Sequence, residues 1–279
     1  MFIIYNNEDI SKNLGSNKIL GTNLKIKNSK IIFKGSNNFL YCDESITLQD
    51  CNLNFAGDNS IIFLSNSVHP YRLNVLINNN SVLYFGSNNF FNTQSIVTIY
   101  LSEEKHFFCG NNGMFSTGIF FRNADPHLIY DSKTYKRLNK TKSIYLGDHV
   151  WIGQNSLILK GTKIDSGSII GGGSVISGKH ISHNTVWAGN PVKLIKKNIF
   201  WDGACVHDWN DEQTLLSQSY LNYCKKKNRL NYKIWIYEYN KSESLNFETL
   251  ESIFSGRNVS EKLNYLKLIK QSKNRFVHK

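Results

Sequence analysis

Eight histidines are spread along the 279 residues, and they bound the chemistry open to this chain. An unperturbed imidazole titrates close to neutrality, which suits it to take the proton of a hydroxyl as that hydroxyl attacks an electrophile. His127, in FFRNADPHLIYD, has Asp125 two residues before it, on the same side of the chain if the segment is extended. A working imidazole must be held in one tautomer by a carboxylate or a backbone carbonyl on its far nitrogen, and Asp125, Asp131 and Asp148 are the carboxylates to consider. Asp125 reads equally as a turn residue ahead of Pro126. His149, in DHVWIG, is a second candidate base. A three-histidine zinc site with two ligands five residues apart has no counterpart, since His180 and His183 are three apart and the rest are scattered, so no metal is expected. Neither a GxSxG elbow nor a Walker-type loop occurs, which leaves a covalent serine mechanism and nucleotide hydrolysis without support.

Such side chains need a frame, and between residues 146 and 181 the chain counts in sixes: LGDHVW, IGQNSL, ILKGTK, IDSGSI, IGGGSV, ISGKHI. Each block opens on an aliphatic residue, at Leu146, Ile152, Ile158, Ile164, Ile170 and Ile176. That period matches neither a helix nor a strand. It suits a solenoid in which each block lays down one short strand and a corner, and three blocks close a triangular coil. The aliphatic points inward, while Val150, Ser156, Thr162, Ser168 and Ser174 are small enough for the inner corner. Gly147, Gly153 and Gly171 keep side chains out of the turns. His149 and Trp151 alternate with inward Val150 and Ile152, which sends both outward. Upstream, a glycine followed by polar residues and an apolar one recurs at Gly35, Gly57, Gly86 and Gly110, at spacings of 22, 29 and 24 read as about one coil each. Short strands at Ile31, Leu53, Ile61, Val82 and Ile119 lie between them. Asparagine at the corners tolerates left-handed backbone. The expectation is a mainly β solenoid from about residue 19 to 197, with a β-sandwich of short strands as the alternative.

Residues 120 to 198 resemble the hexapeptide-repeat acyltransferases, and NTVWAGNPVKLIKK, from Asn184 to Lys197, looks like that family's closing signature. The resemblance implies a left-handed parallel β-helix, against the usual right-handed crossover. It also implies a homotrimer with active sites between subunits and acetyl-CoA as the acyl donor. His127 resembles the family's catalytic histidine, followed by an extruded loop, here residues 128 to 143. Gln154, Gly172, Ser177, Gly178 and Lys179 match positions along the coenzyme groove, and Lys193 and Lys196 match its phosphate contacts. Trp151 would cover the pantetheine arm or the acceptor sugar, or serve as a plain interface residue. Relative to the family's usual pattern the chain is read as carrying one extra residue between Ser177 and His183, so assignments there can shift by one. The same stretch looks like bacterial capsule and polysialic-acid O-acetyltransferases, implying transfer to a sugar hydroxyl of a surface or capsular polysaccharide. A small acceptor such as an amino-sugar nucleotide, serine or an antibiotic is the alternative, and a binding solenoid without catalysis a third reading.

The charge is +12, of which residues 193 to 279 carry +7 from 16 Lys/Arg and 9 Asp/Glu. An anionic partner fits, and with no nucleic-acid motif present a phosphate-bearing cofactor or an acidic glycan such as a sialic-acid polymer explains the charge, as does a codon bias toward Lys and Asn, so charge alone decides nothing. Five cysteines, odd in number and without a CxxC pair, read as reduced thiols. With no secretory signal and no stretch of membrane-spanning length, a cytoplasmic protein is expected. Residues 1 to 197 form the enzyme domain in this reading, and 198 to 279 a mostly helical appendage that caps the solenoid or joins subunits. Helical spacing runs from Asp208 to Asn228 and from Phe247 to Ser255, and Asn258 to Glu261 offers a capping box. Residues 231 to 240 suit a strand or a helix equally.

Overall fold

The structure, a computed structural model, describes residues 1–229, 231, 233–270, 272 and 275–279. From Lys18 to Ala188 the chain winds as a parallel β-solenoid with three faces. The front face ends in the strands Phe120–Arg122, Leu157–Leu159 and Val175–Ile176. The second face ends in Ile144–Leu146, Lys163–Ile164 and His180–Ile181. The third, which we call the tryptophan face, carries Trp151–Ile152, Ile169–Ile170 and Val186–Ala188, closed by the antiparallel strand Lys193–Lys196.

The six-residue count sets this geometry. Ile152 pairs with Ile170 and Ile158 with Ile176, eighteen residues apart, and the opening aliphatics from Leu146 to Ile176 are all fully buried. Ser156 and Ser174 occupy the inner corner because their hydroxyls turn back onto the carbonyls of Gly153 and Gly171, at 2.8 and 2.5 Å. Upstream the coils lengthen, as in the 22-residue pairing of Phe33 with Phe55, and the wider interior is filled by phenylalanine. Phe85, Phe91, Phe107, Phe115 and Phe121 interlock there edge to face and stacked. Asn37, Asn59, Asn88, Asn112, Asn155 and Asn184 take positive φ at the corners, as anticipated.

Three details differ from the expectations. Gly35 and Gly57 turn from the front face to the second face, whereas Gly86 and Gly110 turn from the second face to the third, so the spacing of 29 is a change of corner and not a coil. Ile181 pairs with Ile164 at a separation of seventeen, so the corner at 177–179 is one residue short of the strict six-residue count. Residues 233 to 240 form turns and irregular chain, neither strand nor helix.

The tail contains helices α1 (Asp211–Ser217), α2 (Tyr220–Lys226), α3 (Phe247–Phe254) and α4 (Val259–Ile269). Ser219 caps α2 and divides the segment read as one stretch. Asn258 and Glu261 form the expected capping box of α4. Helices α3 and α4 lie along the side of the solenoid, where Phe247, Leu250, Phe254, Leu263 and Leu266 bury Phe63, Tyr84, Phe108 and Tyr145 of the second face. The second face is therefore helix-covered, and the tail also reaches the tryptophan face, where the Trp201 ring lies 5.8 Å from that of Trp151. All five cysteines are free thiols. Among the described residues no helix is long and apolar enough to cross a membrane.

Candidate active site

The corner where the front face turns into the helix-covered face holds most of the expected chemistry. Its last three crossings are residues 123–143, 160–162 and 177–179, and they are stacked: Gly161 N donates to Ser143 O and Gly178 N to Lys160 O, both at 3.1 Å. The first crossing is the extruded loop. It is a hairpin closed by the Tyr130–Arg137 bridge, with the Asp131 carboxylate accepting from the amides of Lys133 and Thr134 in its turn. These bonds hold the Asp131 carboxyl below its ordinary pKa and commit it to the hairpin tip, so it does not orient His127.

His127 stands exposed at the base of this loop. Its backbone is fixed by Asn139, a buried residue whose amide donates to His127 O at 2.6 Å while its oxygen accepts from Ile129 N at 3.0 Å. The base is tied to the coil above through Arg137, which donates to both oxygens of Glu103 at 2.6 and 3.0 Å, and through Thr141 on the same carboxylate. Arg137 and Thr141 hold the Glu103 carboxyl at about 2, against an ordinary value of 4.5. Asp125 forms an ion pair with Lys160 of the next crossing, and this bond lowers its pKa. Ser177, Gly178 and Lys179 continue the same corner one coil further on, with the Lys179 ammonium 5.9 Å from the Trp187 ring centre. Lys160, Asn139 and Glu103 went unnoticed in the sequence because nothing local marks them; their roles come from stacking of distant segments.

The remaining expected residues lie elsewhere on the prism. Gln154 and Gly172 meet at the corner between the tryptophan face and the front face, where Gly173 N donates to Gln154 O at 2.7 Å. A Cβ on Gly153 would sit 2.5 Å from Gly172 N, so glycine is required for this approach. Trp151 is half-buried on its face between Met114 and Ile169, its indole nitrogen donating to Ser116 Oγ at 3.3 Å. Lys193 and Lys196 are exposed on the closing strand of that face. Since the loop corner joins the other two faces, it lies across the prism from Trp151. One chain thus carries the expected site residues in two groups on opposite sides.

His149 and Asp148 are corrected by the structure. His149 takes φ +54 at the third corner, where its ring is pressed between Trp201 and Trp235 at 3.6 and 3.9 Å, both near parallel. Burial drives its pKa down to about 4. It points outward as expected, but the tail covers it, so it is no fallback base. Asp148 is buried at the same corner, accepts from Asn111 N at 2.6 Å and faces Arg275 at 3.9 Å, so it does not orient His127.

Residues 143–178 match the family model described as bacterial transferase hexapeptide (six repeats). A polysialic acid O-acetyltransferase of Neisseria meningitidis is 32% identical over 186 residues, covering 67% of this chain and 85% of that protein. Among solved structures, the polySia-specific acetyltransferase NeuO superposes with a TM-score of 0.61 at 25% identity, covering 76% of this chain and 94% of that one. The polysialic acid O-acetyltransferase OatWY gives 0.58 at 25% identity, covering 73% and 95%. The solenoid, its extruded loop and these likenesses agree, and the chain belongs to the hexapeptide-repeat acyltransferases as an O-acetyltransferase.

Proposed function

We propose that this enzyme moves an acetyl group from acetyl-CoA to a hydroxyl of an anionic capsular or surface polysaccharide, a sialic-acid polymer in the first instance. The relatives named above are described as acting on polysialic acid, and the surplus of +7 in residues 193 to 279 suits an acidic acceptor. The observation that carries the mechanism is the stacked loop corner, in which exposed His127, its backbone pinned by Asn139, shares one corner with Lys160, Gly178 and Lys179 of the next two coils. His127 Nε2 or Nδ1 accepts the hydroxyl proton as the sugar oxygen bonds to the thioester carbonyl carbon. The tetrahedral intermediate collapses with cleavage of the carbon–sulfur bond, and the departing thiolate takes back the proton. No covalent enzyme intermediate is needed.

Asp125, Trp151, Gln154, Gly172, Ser177, Gly178, Lys179, Lys193 and Lys196 are assigned to one composite cleft. Its two halves lie on opposite sides of each prism, which favours a homotrimer in which one subunit's loop corner meets its neighbour's tryptophan face. Half-buried Leu157, Leu159 and Val175 on the front face, and Trp151, Ile169 and Val186 on the tryptophan face, supply apolar contact area for such packing. Acetyl-CoA is an intracellular thioester, so the reaction is placed in the cytoplasm.

The test is acetyl transfer from radiolabelled acetyl-CoA to polysialic acid, a neutral glycan and an amino-sugar nucleotide. Transfer to polysialic acid should dominate, and His127→Ala should lower it by about 100-fold or more with folding intact. Preference for a neutral or small acceptor would remove the glycan assignment. Retention of turnover by His127→Ala would remove the mechanism.

A further inference from the structure

Near the C-terminal end of the helix-covered face, Asp165 gathers two imidazoles from distant parts of the chain. Its Oδ1 accepts from His180 Nε2 at 2.8 Å and from His278 Nδ1 at 2.9 Å, and its Oδ2 accepts from His278 N at 3.3 Å. The ligand atoms of the three side chains all lie within 4.8 Å of one another. The rings meet edge to face, 4.4 Å apart at 83°. Asp165 is 1% exposed, while His180 and His278 are 41% and 29% exposed at the side chain. The carboxylate is thus sealed in the fold and the imidazoles open onto solvent on one side. Phe247 closes another side, its ring stacked 4.9 Å from that of His278.

We propose that Asp165, His180 and His278 form a binding site for a divalent transition-metal ion, zinc in the first instance, that fastens the C-terminal tail to the solenoid. Two imidazoles and one carboxylate are ligands for zinc, cobalt or nickel; magnesium and calcium prefer all-oxygen sets. Zinc bonds of about 2.0–2.2 Å at tetrahedral angles need ligand atoms roughly 3.3 Å apart. The pairs at 2.8 and 2.9 Å therefore open by about half an ångström, which the partly exposed imidazoles accommodate. Water completes the coordination from the open side. The ion takes the place of the two bridging hydrogens, and each neutral imidazole turns its lone pair to the metal by carrying its proton on the other ring nitrogen.

What the ion would hold is already a close fit. Ser166, the residue after Asp165, donates its amide to Phe276 O at 2.9 Å, and Arg275 is fully buried with Nη1 3.1 Å from the Tyr84 hydroxyl. No local motif marks the cluster, because its ligands are far apart along the chain, His278 lying 113 positions after Asp165.

The test uses the untagged full chain, stripped with a chelator and titrated with Co²⁺ and Zn²⁺. Visible absorption of the cobalt form, calorimetry with zinc and thermal melts are the readouts. One ion per chain is expected, with zinc raising Tm by about 5 °C at saturating excess. His180→Gln and His278→Gln should each weaken binding by about tenfold or more and abolish the Tm shift. His207→Gln, an exposed histidine outside the cluster, should change neither. Should His278→Gln also loosen the tail, His180→Gln decides, since its ring belongs to the solenoid. Absence of saturable binding in the native chain, or equal affinity and stoichiometry in all three variants, overturns the proposal.

Discussion

At the scale of single residues, the contrast between His127 and His149 is a contrast of solvent. His127 is exposed at the loop base, whereas His149 is sealed between two indoles and held neutral, with a pKa of about 4. The sign of the resulting pH dependence is fixed. The unfolded chain binds a proton at this group below about pH 6.5, and the folded chain does so only near pH 4, so stability falls as pH falls through that window. The loss attributable to His149 is at most about 3 kcal/mol, complete below pH 4. His106, fully buried with a pKa of about 3, adds a loss of the same sign. Urea denaturation at steps between pH 7 and 4 should show the midpoint falling, and His149→Gln should flatten that fall substantially without abolishing it. Equal slopes for the two proteins would mean that His149 takes up its proton without strain on the folded state.

At the scale of elements, the loop shows how a solenoid builds a site that its own periodicity cannot. The repeat supplies similar corners, and one insertion between Arg122 and Ile144 converts a corner into a hairpin with His127, the proposed base, at its foot. Insertions of this kind need anchors. Glu103 grips the returning strand and Asn139 closes the base, each with several hydrogen bonds. Removing the Asn139 amide leaves the His127 carbonyl and the Ile129 amide without partners, a loss of about 1–3 kcal/mol confined to the loop. Asn139→Ala should therefore keep the solenoid's Tm within a few degrees, lower kcat more than it raises KM, and speed hydrogen exchange at residues 127 to 139. A large fall in Tm would instead place Asn139 in the folding core. The tail illustrates the opposite economy: α3 and α4 use ordinary amphipathic faces to cover one side, closing it to partners.

At the scale of the whole molecule, what was legible in the sequence is what repeats. The inward aliphatics, the small inner corners, the asparagine turns and the limits of the solenoid all follow from a period visible in one line of residues. The rest depends on which corner a residue occupies, and that requires counting coils of unequal length. The 29-residue step from Gly57 to Gly86 and the short corner at 177–179 show how readily such a count slips. The same geometry yields the most demanding prediction about the site. His127 and Trp151 lie on opposite sides of one prism, so a cleft that uses both must take them from different subunits. His127→Ala and Trp151→Ala should each be poorly active alone. Denatured together at equal concentration and refolded, they should regain about a quarter of native activity, because each interface has even odds of receiving an intact corner and, independently, an intact face. The unmixed variants, refolded in parallel, set the baseline. Failure to exceed that baseline, with trimers confirmed by light scattering, would mean that each subunit works with its own corner alone and that Trp151 only packs the interface.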